Sequence, residues 1–138
     1  MPARSGATSR NSVVPDRAER LRRGRAVAIP LRETSATIAR LAVRLKFASG
    51  ELVSHAEQLF ILYPSAKGYF GFPCPYGDCD GIYDLSCAAA SILRGSATEA
   101  NGTLDCTGAR TLNRVPNQRC NLRLRFTLSA ERKGAIDE

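Results

Sequence analysis

Five cysteines in a chain of 138 residues constrain this fold more than any of its apolar runs. Cys74 and Cys79 stand on either side of "PYGD" in the stretch "FPCPYGDCDG", and Cys106 and Cys120 bracket thirteen residues further on. A tetrahedral Zn²⁺ takes four soft ligands at about 2.3 Å, and two thiolates separated by two to four residues at a turn can wrap one ion. The first pair meets that spacing. The second pair does not meet it by length, but it can by geometry. If Cys106 ends one strand and Cys120 begins the next, the two are cross-strand neighbours and residues 107 to 119 protrude beyond them.

The compartment decides between metal and disulfide. The longest early apolar run, "AVAIPL" at 26 to 31, is too short and too late for the core of a secretory signal. The expected setting is cytoplasmic, where thiols stay reduced and spaced cysteines act as ligands more often than as bridges. Disulfides, and a cluster of iron and sulfide on four thiolates, are the alternatives, although the spacings match neither common cluster run. Catalytic zinc is disfavoured because that chemistry uses three protein ligands and keeps a position open for water. Cys87, in "DLSCAAAS", is the odd thiol. Among small apolar neighbours it reads as a core residue, with substitution for one of the four ligands as the rival role.

The segments "FPCPYGDCDG", "LDCTG" and "CNLRLRF" together resemble a divergent four-cysteine zinc ribbon covering residues 69 to 128. The usual members carry pairs spaced C-x2-C, and both pairs here depart from that. The resemblance implies two hairpin tips facing each other across one structural zinc, held by Cys74, Cys79, Cys106 and Cys120.

Hydrophobic patterning supports a mainly β domain, with a small α+β arrangement as the variant. In "ATIARLAVRLKFA" (36–48) the alternation places Thr37, Ala39, Leu41, Val43, Leu45 and Phe47 on one strand face. Helical spacing of Ile38, Leu41 and Leu45 competes with it. "CNLRLRFTLSA" is the clearest strand, with Leu122, Leu124, Phe126 and Leu128 inward and Arg123, Arg125 and Thr127 outward. Further strands are expected at 58 to 63, ended by Pro64, and in the aromatic stretch on either side of the first cysteine pair. A short helix is expected near 86 to 94, and a turn at Asn101-Gly102. The domains implied are a disordered basic arm over 1–35, with a nascent helix at "PDRAERLRR" where Pro15 suits a helix start, a zinc-stabilised β domain over 36–130 and a frayed tail over 131–138.

The net charge of +7 is uneven. Residues 1 to 35 carry eight arginines against three acids, and no acid occurs between Asp105 and Glu131. That second stretch holds Arg110, Arg114, Arg119, Arg123 and Arg125, the candidate nucleic-acid contacts, with Arg40, Arg44 and Lys46 as possible additions. Such a face binds phosphate backbones without reading bases. Tyr69, Phe70, Phe72 and Tyr76 are either stacking platforms for single-stranded bases or core packing around the hairpin. Local compensation of four thiolates explains the same arginines equally well. His55, the only histidine, reads as a surface or boundary residue, and no acid–base pair or phosphate-cradling glycine loop is present. The reading is therefore a non-catalytic, regulatory or accessory zinc protein that contacts nucleic acid or its machinery. A protein–protein adaptor with a purely structural zinc is the alternative. No membrane span or small-molecule substrate is indicated.

Overall fold

The computed structural model describes residues 16–48 and 57–133, so His55 and the first fifteen residues of the expected arm lie outside the described residues. The elements in order are α1 (Arg17–Val27), α2 (Leu31–Thr34), β1 (Ile38–Ala48), β2 (Gln58–Leu62), β3 (Gly71–Pro73), β4 (Ile82–Asp84), α3 (Ser86–Leu93), β5 (Glu99–Asp105), β6 (Ala109–Leu112), β7 (Val115–Arg119) and β8 (Arg123–Arg132). The protein is mainly β, and every strand pairing is antiparallel.

Four strands form one sheet in the order β2-β1-β8-β5. In β1 and β8 the period-two alternation of the sequence becomes two chemically distinct faces. Val43 lies opposite Leu128, Leu45 opposite Phe126 and Phe47 opposite Leu124, and all six are buried. The other face pairs Arg44 with Thr127, Lys46 with Arg125 and Ala48 with Arg123. A register shift between Ile38 and Arg40 turns Ile38 inward together with Leu41. That is why the strict alternation expected from Thr37 onward fails in the first turn of the strand.

The inner face is covered by β3, β4 and α3. Phe70, Tyr83, Leu85, Ala89 and Ile92 join the sheet residues in one core cluster, and the rings of Phe47 and Tyr83 lie 5.5 Å apart. Helix α3 turns Ala89, Ile92 and Leu93 inward. That choice of face leaves Cys87 exposed, so the expectation that Cys87 packs in the core is corrected.

Three further expectations change. Asn101-Gly102 is not a turn but the middle of β5, where Asn101 pairs with Thr127 and Gly102 with Phe126. A Cβ on Gly102 would sit 3.1 Å from the Phe126 ring, so the glycine marks a close approach within a strand. The arm expected over 1–35 is ordered from Asp16 onward. Asp16 caps α1 by accepting from the Glu19 amide at 2.9 Å, and Leu21 and Leu31 are buried. Of the tail expected over 131–138, residues 131–133 are anchored, and 134–138 lie outside the described residues. The Arg132 guanidinium donates to the carbonyls of Ile92 at 2.7 Å and Ala97 at 2.8 Å, and the Lys133 amide to the Thr37 carbonyl at 2.7 Å.

Residues 109 to 119 are not a loose loop. β6 and β7 form a second two-stranded ladder, turned by Asn113 and Arg114 with φ of 52° and 66°. Two successive left-handed residues define the tight hairpin turn that prefers Asn-Gly. A side chain beyond glycine is disfavoured in that region by roughly 1–2 kcal/mol. Arg114→Gly is therefore expected to stabilise the protein by about 1 kcal/mol, read as a higher midpoint in thermal melting. A lower midpoint would contradict the turn.

Candidate metal centre

The four cysteines that the sequence singles out converge. Cys74, Cys79, Cys106 and Cys120 are all buried, and their sulfurs lie within 4.8 Å of one another. Cys74 Sγ is 3.8 Å from Cys120 Sγ, and Cys79 Sγ is 3.6 Å from Cys106 Sγ. A disulfide needs about 2.05 Å, so these are thiols. Four sulfurs placed tetrahedrally at 2.3 Å from one ion are about 3.8 Å apart, and the donor set fits a metal of that size and softness.

Two backbone knuckles build the site. The first lies between β3 and β4. The Cys74 amide donates to the Gly81 carbonyl at 3.0 Å and the Cys79 amide to the Tyr76 carbonyl at 3.2 Å, which closes "CPYGDCDG" into a compact loop. The second lies where one long hairpin is interrupted. β5 pairs with β8 up to Asp105 and Arg123, the Cys106 amide donates to the Leu122 carbonyl at 3.0 Å, and pairing resumes at Ala109 and Arg119. Cys106 and Cys120 sit at this break, which resolves the thirteen-residue spacing.

The knuckles share a local pattern that sequence reasoning missed, Cys79-Asp80-Gly81 and Cys106-Thr107-Gly108. In each, the glycine amide points at the cysteine sulfur two residues earlier, Gly81 N to Cys79 Sγ at 3.3 Å and Gly108 N to Cys106 Sγ at 3.4 Å. Such donors orient a metal-bound sulfur and stabilise its negative charge. The two glycines also meet. A Cβ on Gly81 would lie 2.5 Å from Cys106 Sγ, and one on Gly108 closer still to the Gly81 amide nitrogen. The repeated C-x-G was the available sequence signal.

The second ladder is bound to the first knuckle. The Asp80 amide donates to the Ala109 carbonyl at 3.1 Å, the Thr111 amide to the Asp78 carbonyl at 3.2 Å, and the Ala109 amide to Asp80 Oδ1 at 2.8 Å. Arg110 donates to Asp78 Oδ1 at 3.0 Å with its guanidinium 3.7 Å from the centre of the Tyr76 ring, a cation–π contact. From the other side α1 reaches in. Arg17 donates to the Cys74 carbonyl at 2.9 Å and Arg20 to the Asp80 carbonyl at 2.5 Å.

Burial pushes the Cys106 thiol up to about 12, the Gly108 amide opposing it. Burial pushes Cys74 up further, against the Tyr76 amide. Burial and then the neighbouring thiols also raise Tyr83, whose hydroxyl donates to the Leu122 carbonyl at 2.7 Å. Burial thus favours the neutral thiol at Cys74 and Cys106, and an ion that takes these sulfurs as thiolates must displace their protons.

The five arginines expected on one basic face do not act alike. Arg110 is committed to Asp78 and Tyr76. Arg123 pairs with Asp105 at 2.8 Å. Arg114 and Arg119 are exposed on the β6–β7 hairpin, and Arg125 is exposed on the outer face of β8. The aromatic residues divide as well. Phe70 is buried, Phe72 packs 5.4 Å from Phe60, and Tyr69 lies against Gly24 and Gly71. No described helix is long and apolar enough to cross a membrane. Comparison with family models, with curated proteins and with solved structures finds no match for the chain.

Proposed function

We propose that the protein is a small zinc-stabilised domain of non-catalytic role that contacts nucleic acid through arginines displayed around its metal centre. The observation that carries the metal reading is the sulfur spacing of 3.6 and 3.8 Å within a buried set of four thiols. Four protein sulfurs close the coordination sphere and leave no position for a reacting water, as in structural zinc sites. With Zn²⁺ and four thiolates the centre carries a charge of −2. Arg17, Arg20 and Arg110 face its knuckles, while Arg114, Arg119 and Arg125 project to solvent, where phosphate can reach them.

Metal loading follows pH with a definite sign. Thiols bind metal as thiolates and burial raises Cys74 and Cys106 further, so acid favours the metal-free state. Each zinc taken up near pH 6 displaces about four protons, and apparent affinity falls by up to about 10⁴ per pH unit of acidification. Zinc release titrated between pH 7 and pH 5 measures this. A slope near zero would remove the four-thiolate assignment.

Nucleic-acid binding is expected to weaken with salt, because each phosphate neutralised releases counterions. Fluorescence anisotropy with a 20-nucleotide single strand and a 20-base-pair duplex, between 50 and 200 mM salt, provides the measurement. Replacing Arg114, Arg119 and Arg125 together by Gln is expected to lower the salt slope by about 3. Absent binding, or binding indifferent to salt, defeats this reading.

A second reading is supported by a separate observation. β2 is an edge strand with Leu59, Phe60 and Ile61 exposed, and Tyr63 beyond it is exposed as well. Among the described residues no strand pairs with the outer edge of β2, and such an apolar edge is a template for strand addition by a protein partner, which favours an adaptor if nucleic acid fails to bind.

A further inference from the structure

The outer face of the four-stranded sheet carries a charge arrangement that the fold itself does not need. Lys46 on β1 is directly opposite Arg125 on β8, and Arg125 is directly opposite Thr103 on β5. Like charges in directly opposed positions destabilise a sheet. Their neighbours on this face are compensated: Arg40 pairs with Glu131, Arg44 with Glu57 at 3.9 Å and Arg123 with Asp105 at 2.8 Å. Among the described residues, no ion pair is made by Lys46 or Arg125. The two cations and Thr103 line a cleft of about 220 Å³ together with Ala48 and Arg123. Ala48, opposite Arg123, is the short side chain that leaves room between the longer ones.

We infer that this cleft is a phosphate-binding site for the backbone of a bound nucleic acid, with Lys46 and Arg125 as its cations, Thr103 as a hydroxyl donor and Asp105 as an acid that occupies the guanidinium of Arg123 in its lining. The inference rests on the nucleic-acid reading above and moves its centre from the β6–β7 hairpin to the sheet. The occupant is a phosphodiester rather than a base. No aromatic residue lies on this face in β1, β5 or β8, so stacking is not offered, while two uncompensated cations and a hydroxyl match one anionic group. Asp105 gives the site its own signature. Its carboxylate occupies Arg123 and repels phosphate, so removing it should strengthen binding.

The test uses the full chain with the same single strand and duplex, comparing Lys46→Gln, Arg125→Gln, Asp105→Asn and Arg114→Gln. Lys46→Gln and Arg125→Gln are each expected to lower the salt slope by about 1. Each variant should therefore lose about 3.5-fold less affinity than the wild type between 50 and 200 mM salt. Their melting temperatures should be unchanged or higher, because a repulsive pair has been removed. Asp105→Asn should tighten binding and steepen the slope by up to about 1. The site is overturned if the wild type binds but Lys46→Gln and Arg125→Gln leave the slope unchanged, or if Asp105→Asn fails to tighten binding. A slope that falls only with Arg114→Gln places the contact on the hairpin, leaving the nucleic-acid reading intact without this site. If the wild type binds neither probe, both readings fall.

Discussion

Removal of the metal is expected to abolish the cooperative unfolding transition, and one equivalent of zinc should accompany each folded chain. The reason is the division of labour between the sheet and the knuckles. β1, β5 and β8 hold an apolar layer of their own, with Val43, Leu45, Leu124 and Leu128 fully buried. That layer is closed by β3, β4 and α3. β3 and β4 are three residues each, far below what a two-stranded ladder needs to persist in water. They are held by the knuckle that carries Cys74 and Cys79, and α1 is attached to the same knuckle through Arg17 and Arg20. Structural zinc contributes on the order of 10–16 kcal/mol in small domains, as much as the net stability of a typical one. Its loss therefore outweighs what the sheet retains.

Chelation should convert a sharp thermal transition into a broad one and collapse the amide spectrum of residues 71–84 and 109–119. Cys74→Ser should do the same without chelator, because the replaced sulfur is buried. Elemental analysis that finds no metal in a protein that melts cooperatively, with or without chelator, would refute the assignment. A normal melt for Cys74→Ser would refute it independently.

The parts of this architecture that were legible in the sequence are those governed by side-chain alternation. β8 was readable because Leu122, Leu124, Phe126 and Leu128 alternate with polar residues in a strand with one buried and one solvated face. Cys74, Cys79, Cys106 and Cys120 were readable as a set by chemistry rather than by spacing, since four soft donors have little other use in a reduced chain. What escaped was governed by contacts between segments distant in sequence. A helix at "PDRAERLRR" was legible, but the docking of α1 was not: it has no apolar stripe, and besides Leu21 it docks with arginine guanidinium groups on carbonyl oxygens of the cysteine knuckle, which hydropathy cannot reveal. Gly102 reads as a turn residue next to Asn101 unless the ring of Phe126 across the strand is known. Residues 107 to 119 read as a loop because neither face of β6–β7 is buried. Its order comes from backbone pairing with the first knuckle, and exposed backbone pairing leaves no hydrophobic period.

Gly81, which is buried, and Gly108, which is half-buried, should be far less tolerant of a side chain than the exposed Gly77, which provides the internal comparison. All three lie close to cysteines in sequence, and none has the left-handed φ that would itself demand glycine, so the contrast isolates space. A Cβ on Gly77 meets nothing within 4 Å, and Gly77→Ala is expected to change stability by no more than about 0.5 kcal/mol. A Cβ on Gly81 meets Cys106 Sγ at 2.5 Å, and one on Gly108 meets the Gly81 backbone and Asp80 Oδ1. The first obstacles are a buried sulfur and main chain, and Asp80 Oδ1 is itself held by the Ala109 amide at 2.8 Å. Overpacking of this kind costs about 1–3 kcal/mol where the surroundings can shift. Here the shift must also move a sulfur out of a set spaced at 3.6 and 3.8 Å, so the loss should appear in zinc retention as well as in the melt. Gly81→Ala and Gly108→Ala should each lower the melting temperature by ten degrees or more, about 3 kcal/mol in a domain of this size, and release zinc faster to a competing chelator. Because the two glycines touch, the double variant should cost less than the sum of the single ones. Equal, small effects at Gly77, Gly81 and Gly108 would mean that the two knuckles do not pack against each other as the structure has them.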